Sequence, residues 1–277
     1  MPVNARRLVR KMRGGAQAHL LEADDGHFYV VKFRNNPQHR RVLINEWIAS
    51  TVLQYLQVAA PETAIVQLTP EFLGNNPEIS ISLGHQRQNV QPGWHFGSRF
   101  PGDPNRVAVY DFVPDVLLDR IENRNEFLGV LVFDKWTGNA DARQSIFLRA
   151  RLREYVPTFQ GHALRVGFLA LMVDHGYIFN GPHWTYTDSP LTGMYFRPSV
   201  YSSVRGLDDF QPWLDRIVNF PEEVIDDALG KLPAEWLNGD RDDLYALLEK
   251  LMARRPKVPY LIEECRRTSL QPFPKWL

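Results

Sequence analysis

The sequence predicts an α+β chain of two lobes: a small β-rich first lobe with one main helix, and a larger, mostly helical second lobe. Three observations predict it. Two apolar runs, Ala18 to Ala23 and Phe28 to Phe33, flank Asp24-Asp25-Gly26, and glycine in such a turn supplies the positive φ of a tight hairpin. Between Arg41 and Gln57, Val42, Ile44, Trp47, Ile48, Val52 and Leu56 fall largely at helical spacing. Finally, Gly97, Pro101, Gly102 and Pro104 crowd together before a long series of helical patterns, which puts the connection between lobes near Phe100 to Pro104. The expected units are residues 1–100 and 101–277, since domains of roughly 100–200 residues are usual.

The elements follow in order. Met1 to Arg13 is basic and carries the first strand, and Arg13-Gly14-Gly15-Ala16 turns into the hairpin. Asn35-Asn36-Pro37 stops the second hairpin strand, and the helix of Arg41 to Gln57 is expected to pack on that hairpin. Pro61 to Leu73 and Glu78 to Leu83 read as further strands, followed by a polar stretch up to about Gly93. In the second lobe, Phe112 to Leu118 and Arg124 to Trp136 are helical, the latter apolar enough to be buried. Ser145 to Arg153 and His162 to Val173 are strand-like and bracket a loop with Pro157 and Gly161. Helices are expected at Leu207 to Val218, Pro221 to Leu229, Asp240 to Ala253 and Pro256 to Arg267, with Pro212, Pro221 and Pro256 where a first turn tolerates proline.

Composition narrows the function. With 32 basic against 32 acidic residues, there is no electrostatic case for bulk binding to nucleic acid or an anionic membrane. The single cysteine, Cys265, rules out an internal disulfide and a cysteine metal cluster, and fits a reducing cytoplasm. No run approaches the ~18 apolar residues of a membrane span, and the basic start lacks an apolar leader core. A soluble, cytoplasmic protein is the expectation.

Four charged residues stand in settings that favour chemistry. Lys32 ends the run His27-Phe28-Tyr29-Val30-Val31, and Glu46 follows between Ile44 and Trp47. Asp141 lies in Gly138-Asn139-Ala140-Asp141-Ala142-Arg143-Gln144, and Asp174 ends the apolar Ala170-Leu171-Met172-Val173. Each residue alone has an ordinary explanation, a snorkelling lysine or a turn aspartate. Together and in this order they suggest phosphoryl transfer from a nucleotide, because a triphosphate needs fixed cations, backbone N–H groups and a metal to neutralise its charge. No Walker A motif or Gly-x-Ser-x-Gly turn is present, and His175 with His183 lacks a third ligand at zinc spacing.

From about Leu8 to Asn180 the chain resembles the HipA-like kinases, a bacterial branch of the protein-kinase-like superfamily. Phe133-Asp134-Lys135-Trp136-Thr137-Gly138-Asn139-Ala140-Asp141 carries that resemblance best, being similar to the family's helix leading into an Asn-x-Asp catalytic loop. The resemblance implies a two-lobed protein-kinase-like fold and an ATP- and Mg2+-dependent serine/threonine protein kinase. Lys32 would hold the phosphates and pair with Glu46, Asp141 would meet the acceptor hydroxyl, and Asp174 would bind magnesium. Gly14, Gly15 and Ala16 stand where a phosphate-covering loop belongs, and Phe100 where the connection meets the nucleotide. The family also places a His soon after the catalytic Asp and an Asn five residues beyond it. Arg143, Gln144 and Ile146 occupy this region here, and Gln144 is the candidate second metal ligand. Partners implied are a nucleotide and a protein substrate or antitoxin-like protein. Two alternatives stay open: a small-molecule kinase on the same scaffold, and a pseudokinase that binds a nucleotide or protein without catalysis.

Overall fold

The computed structural model describes residues 2–276, so Met1 and Leu277, the outermost residues of the two expected units, lie outside it. Strands β1 (Val3–Lys11), β2 (His19–Ala23) and β3 (Phe28–Lys32) run antiparallel in succession. Helix α1 (Arg41–Leu56), β4 (Thr63–Leu68), α2 (Pro70–Asn75), the hairpin β5 (Ser80–Leu83) and β6 (Gln86–Asn89), and β7 (Gly93–Arg99) follow. The order β1-β2-β3-β7-β4 closes into a barrel through a parallel pairing of β1 with β4. Its interior is filled by Leu21 of β2, Val31 of β3, Phe33 just beyond it, and Val66 and Leu68 of β4, alternate residues along each strand.

The rest is mainly helical around one small sheet. After β8 (Val109–Tyr110), α3 (Asp115–Leu118) and α4 (Glu126–Thr137), strands β9 (Gln144–Arg151) and β10 (Val166–Val173) pair antiparallel, giving the order β10-β9-β8. A short α5 (Leu152–Tyr155) sits in the β9–β10 connection. Helices α6 (Trp213–Val218), α7 (Glu222–Gly230), α8 (Ala234–Leu237), α9 (Arg241–Ala253) and α10 (Val258–Arg266) complete the chain. Every residue of α4 is buried, its apolar Phe127 to Phe133 and Trp136 along with the polar Glu126, Asp134, Lys135 and Thr137.

Four expectations need correction. Pro61 to Leu73 is not one strand: the Thr69 side chain accepts from Phe72 N at 3.1 Å, and this cap with Pro70 starts α2. No strand was expected between the polar stretch ending near Gly93 and the connection near Phe100, yet β7 is the barrel strand between β3 and β4. Gly97 is required there because a Cβ would meet Val66 at 2.5 Å. Leu207 to Val218 is two pieces, a 3-10 turn over Leu207–Phe210 and then α6 beginning after Pro212, and α8 was not anticipated.

The fourth concerns α1, which packs less on the hairpin than on the later helices. Ile48, Val52, Leu53 and Leu56 share a core with Phe133 of α4, Ile217 of α6 and Trp236 of α8. Trp47 Nε1 also donates to Ala228 O at 3.0 Å. Polar links span the same junction. Glu235 accepts from Arg34 Nη1 and from Trp94 N, each at 2.6 Å, and Arg41 binds Asp240 at 2.8 Å and Asp243 at 2.9 Å. Among the described residues no helix is long and apolar enough to cross a membrane.

Candidate active site

Lys32, at the end of β3, reaches two carboxylates. Its Nζ forms an ion pair with Glu46 Oε1 and another with Asp174 Oδ1 at 2.8 Å. Glu46 faces it because α1 places this position against β3, and Glu46 Oε1 also accepts from His175 N at 3.1 Å. Burial alone would lower the Lys32 ammonium, but the two carboxylates outweigh it and hold the group well above its ordinary value. Lys32 correspondingly holds Asp174 below the usual carboxylate range. Two carboxylates thus face one ammonium, and burial pushes Glu46 above the usual carboxylate range. Asp174 is the open member of this cluster, with 40% of its side chain exposed against 4% for Glu46.

Asp174 sits in a strained loop that α1 secures. Its φ is +58°, a left-handed conformation that aspartate tolerates better than most residues. Buried Asn45, adjacent to Glu46, donates its amide to the carbonyls of Gly176 at 2.7 Å, Gly181 at 3.0 Å and Ile178 at 3.1 Å. Gly176 permits this approach, since a Cβ there would meet Val42 at 2.5 Å.

Asp141 follows α4, which ends at Gly138 with φ +63°, a common glycine stop. Its carboxylate is exposed and Oδ1 accepts from Ala142 N at 2.8 Å. The loop is held from beneath. Asn139 Oδ1 accepts from Asp141 N at 3.1 Å while Asn139 Nδ2 donates to Asp134 Oδ1 at 2.9 Å.

A fully buried Arg143 ties the two aspartate loops together. It binds Asp134 through Nε at 2.9 Å and through Nη2, and Nη1 donates to Val173 O at 3.0 Å. Nη1 also lies 2.8 Å from His175 Nδ1. Arginine only donates, so Nδ1 accepts, and His175 is neutral with its proton on Nε2, which donates to Met172 O at 3.1 Å. Burial, with Arg143 beside it, keeps His175 well below its ordinary pKa. Arg143, Asp134 and Asn45 went unassigned a role from sequence. The one available signal was an arginine where the resembling family has histidine.

Gln144 opens β9 directly opposite Val173, the last residue of β10, so Asp141 and Asp174 emerge at the same end of this antiparallel pair. Gln144 and Asp141 line one cleft of about 250 Å³ together with Asp111, Ser145, Ile146 and Phe196. Ile146 lies in β9 opposite Leu171 and offers no ligand oxygen.

The remaining candidates divide. Gly14, Gly15 and Ala16 form the β1–β2 turn, closed by Met12 N to Ala18 O at 2.8 Å, with Gly14 at φ +117°. His19 pairs with Val31, so this turn opens at the Lys32 end of β3. Gln17 anchors it to the β5–β6 hairpin, its amide exchanging two 2.7 Å bonds with the Ser82 backbone. Phe100 is set apart from this group. Its N–H binds Phe28 O at 2.7 Å, about 13 Å of strand from Lys32 at ~3.3 Å per residue. Its side chain is buried along a separate cavity of about 920 Å³ with Trp47 and Tyr155.

A metal must find hard oxygen donors here. Among the described residues no three His, Cys, Asp or Glu side chains are grouped to hold one. This fits magnesium, which usually takes one or two carboxylates and completes its shell with phosphate and water oxygens.

Among curated proteins no relative is matched. Two solved structures of the Golgi casein kinase resemble the whole chain. The one with Mn/ADP bound matches at a TM-score of 0.54 and 12% identity, over 96% of this chain and 74% of that one. The other matches at 0.53 and 13%, over 97% and 75%. That likeness speaks for the fold, a protein-kinase-like mixture of strands and helices. A family model described as HipA-like kinase matches residues 6–147, just over half of the sequence, taking in Lys32, Glu46, Asp141 and Gln144. The chain belongs to the HipA-like kinase family.

Proposed function

We propose that this protein is an ATP- and Mg2+-dependent kinase that transfers the γ-phosphoryl group to a serine or threonine hydroxyl of a protein. The observation that carries the reading is Lys32 paired with both Glu46 and Asp174, while Asp141 emerges at the same end of β9–β10. In this reading residues 1–100 form the nucleotide-covering lobe and residues 101–277 the lobe of the catalytic loop, metal site and helical bundle. Lys32, oriented by Glu46, neutralises the phosphates, and backbone N–H groups of Gly14, Gly15 and Ala16 cover them. The chain at Phe100, a strand length away, meets the base end of the nucleotide. Asp174 and Gln144 hold the magnesium ion. When bound, magnesium screens the charge of the phosphate oxygens. Asp141 orients the acceptor hydroxyl and takes its proton. A cytoplasmic protein with a protein substrate or antitoxin-like partner completes the proposal. The small volume of the cleft beside Asp141 favours a second reading, a small hydroxyl-bearing acceptor on the same scaffold.

The test combines binding and transfer. Millimolar ATP with magnesium is expected to raise the melting temperature, because a ligand of the folded state stabilises it by mass action. Labelled ATP added to cell lysate is expected to give phosphoserine or phosphothreonine with wild type and none with Asp174→Ala. No thermal shift, with a control kinase responding, overturns nucleotide binding. A shift without transfer leaves the pseudokinase.

A further inference from the structure

The cleft beside Asp141 contains groups that phosphate transfer leaves unused. Asp111 lines it with Asp141, and among the described residues neither carboxylate has an ion pair. The cations nearby are already engaged. Arg143 is bound to Asp134, and Arg197 binds Asp115 and the Val113 carbonyl while its guanidinium covers the Phe112 ring at 4.8 Å. The cleft therefore presents two carboxylates without a counter-charge. Two of its lining residues, Ser145 and Tyr195, are 6% and 2% exposed, and each has a buried hydroxyl with no hydrogen-bond partner. Orphaned hydroxyls of this kind are rare in a protein interior.

The surroundings indicate what kind of molecule the cleft suits. Asp111 directly follows β8, the edge strand of the three-stranded sheet, whose outer side is left unpaired among the described residues. Tyr110, Phe112 and Phe196 are 49%, 59% and 62% exposed, one in the cleft wall and two flanking Asp111. An edge strand beside exposed aromatic rings suits an extended chain better than a compact solute.

We propose that this cleft selects a protein segment with a lysine or arginine close to its acceptor serine or threonine, and that Asp111 is the residue that reads the cation. The inference rests on the protein-kinase reading above and deepens it. A carboxylate receiving a cationic donor forms the stronger class of hydrogen bond, and a preference of about tenfold in kcat/KM is expected.

The experiment uses the full chain, ATP and magnesium, with serine peptides that differ only in carrying Arg, Ala or Glu at each position around the hydroxyl. Wild type is expected to favour the Arg peptide over the Ala peptide by about tenfold, mostly through KM. Asp111→Asn should bring that ratio to about one, and Asp111→Arg should turn the preference toward the Glu peptide. Asp111 is exposed, and a thermal melt of each variant checks its fold. Peptide phosphorylation without a basic preference, or a preference that survives Asp111→Asn, overturns the inference and leaves the protein-kinase reading standing. No label on any peptide, with an amino alcohol labelled in its place, overturns both.

Discussion

The two ends of the candidate site are built in opposite ways. Around Lys32 the charges are buried, paired and held by α1, β3 and the Asp174 loop at once. Around Asp141 the carboxylate is exposed and accepts from the adjacent Ala142 N, while its backbone is held through Asn139 and Asp134. The difference separates preparation from recognition. Under the proposed function, a group that meets the same triphosphate each time can be locked in place before binding, whereas a group that meets a variable acceptor must leave room for it. The locked end costs desolvation that only its own partners offset, so damage there appears first as lost stability. At the open end damage appears as lost turnover.

The largest expected effect tests the open end. Asp141→Asn should lower kcat by about 10²–10⁴-fold while the melting temperature and its response to ATP stay near wild type. Equal loss of stability would erase the distinction. Next is the locked end. Lys32→Met leaves Glu46 buried without its cation and should cost about 3–5 kcal/mol in urea unfolding, and adding Glu46→Gln should recover part of that loss.

A third prediction uses pH. Glu126, at the start of α4, is pushed up to about 7 by burial, against the opposing bonds from Ala59 N and Asn123. Its folded value thus exceeds the unfolded 4.5, so the folded state keeps the proton across that interval. Stability should fall as pH rises from about 4.5 to about 7 and level off above, by up to about 3.5 kcal/mol at ~1.4 kcal/mol per unit. Denaturation of Glu126→Gln at several pH values should lack this slope. The smallest effect belongs to Gln144→Ala, which should raise the magnesium needed for half-maximal activity by roughly tenfold if Gln144 is a ligand.

Sequence reading worked where the physics is local. The Asp-Gly turn and the period of Arg41 to Gln57 are short-range signals, and they yielded β2, β3 and α1, and with them Lys32 and Glu46. It faltered where a residue's meaning depends on distant chain. β7 was not anticipated, because the reason for Gly97, the closeness of Val66, lies on another strand. Arg143 looked like an ordinary polar substitution, since Asp134 and His175 meet it only in three dimensions. Asn45 was invisible for the same cause: its three carbonyl partners lie more than a hundred residues away. Phe100 was expected at the connection between lobes; it directly follows β7, and which cavity its ring enters depends on α1 and α5.

The packing of α1 has a consequence for how the chain is made. Barrel strands up to β7 can pair as soon as they leave the ribosome, but the face of α1 bearing Trp47, Ile48 and Val52 must wait for α6 to α8. Roughly 160 residues separate the end of α1 from the start of α6, and at about 5–20 residues per second that interval is on the order of ten to thirty seconds. During it a tryptophan and several branched side chains face water on a nascent polypeptide. Chaperone demand should therefore concentrate on this early helix, and truncation before Trp213 should yield an insoluble fragment even though every proposed phosphate-handling residue has already been translated.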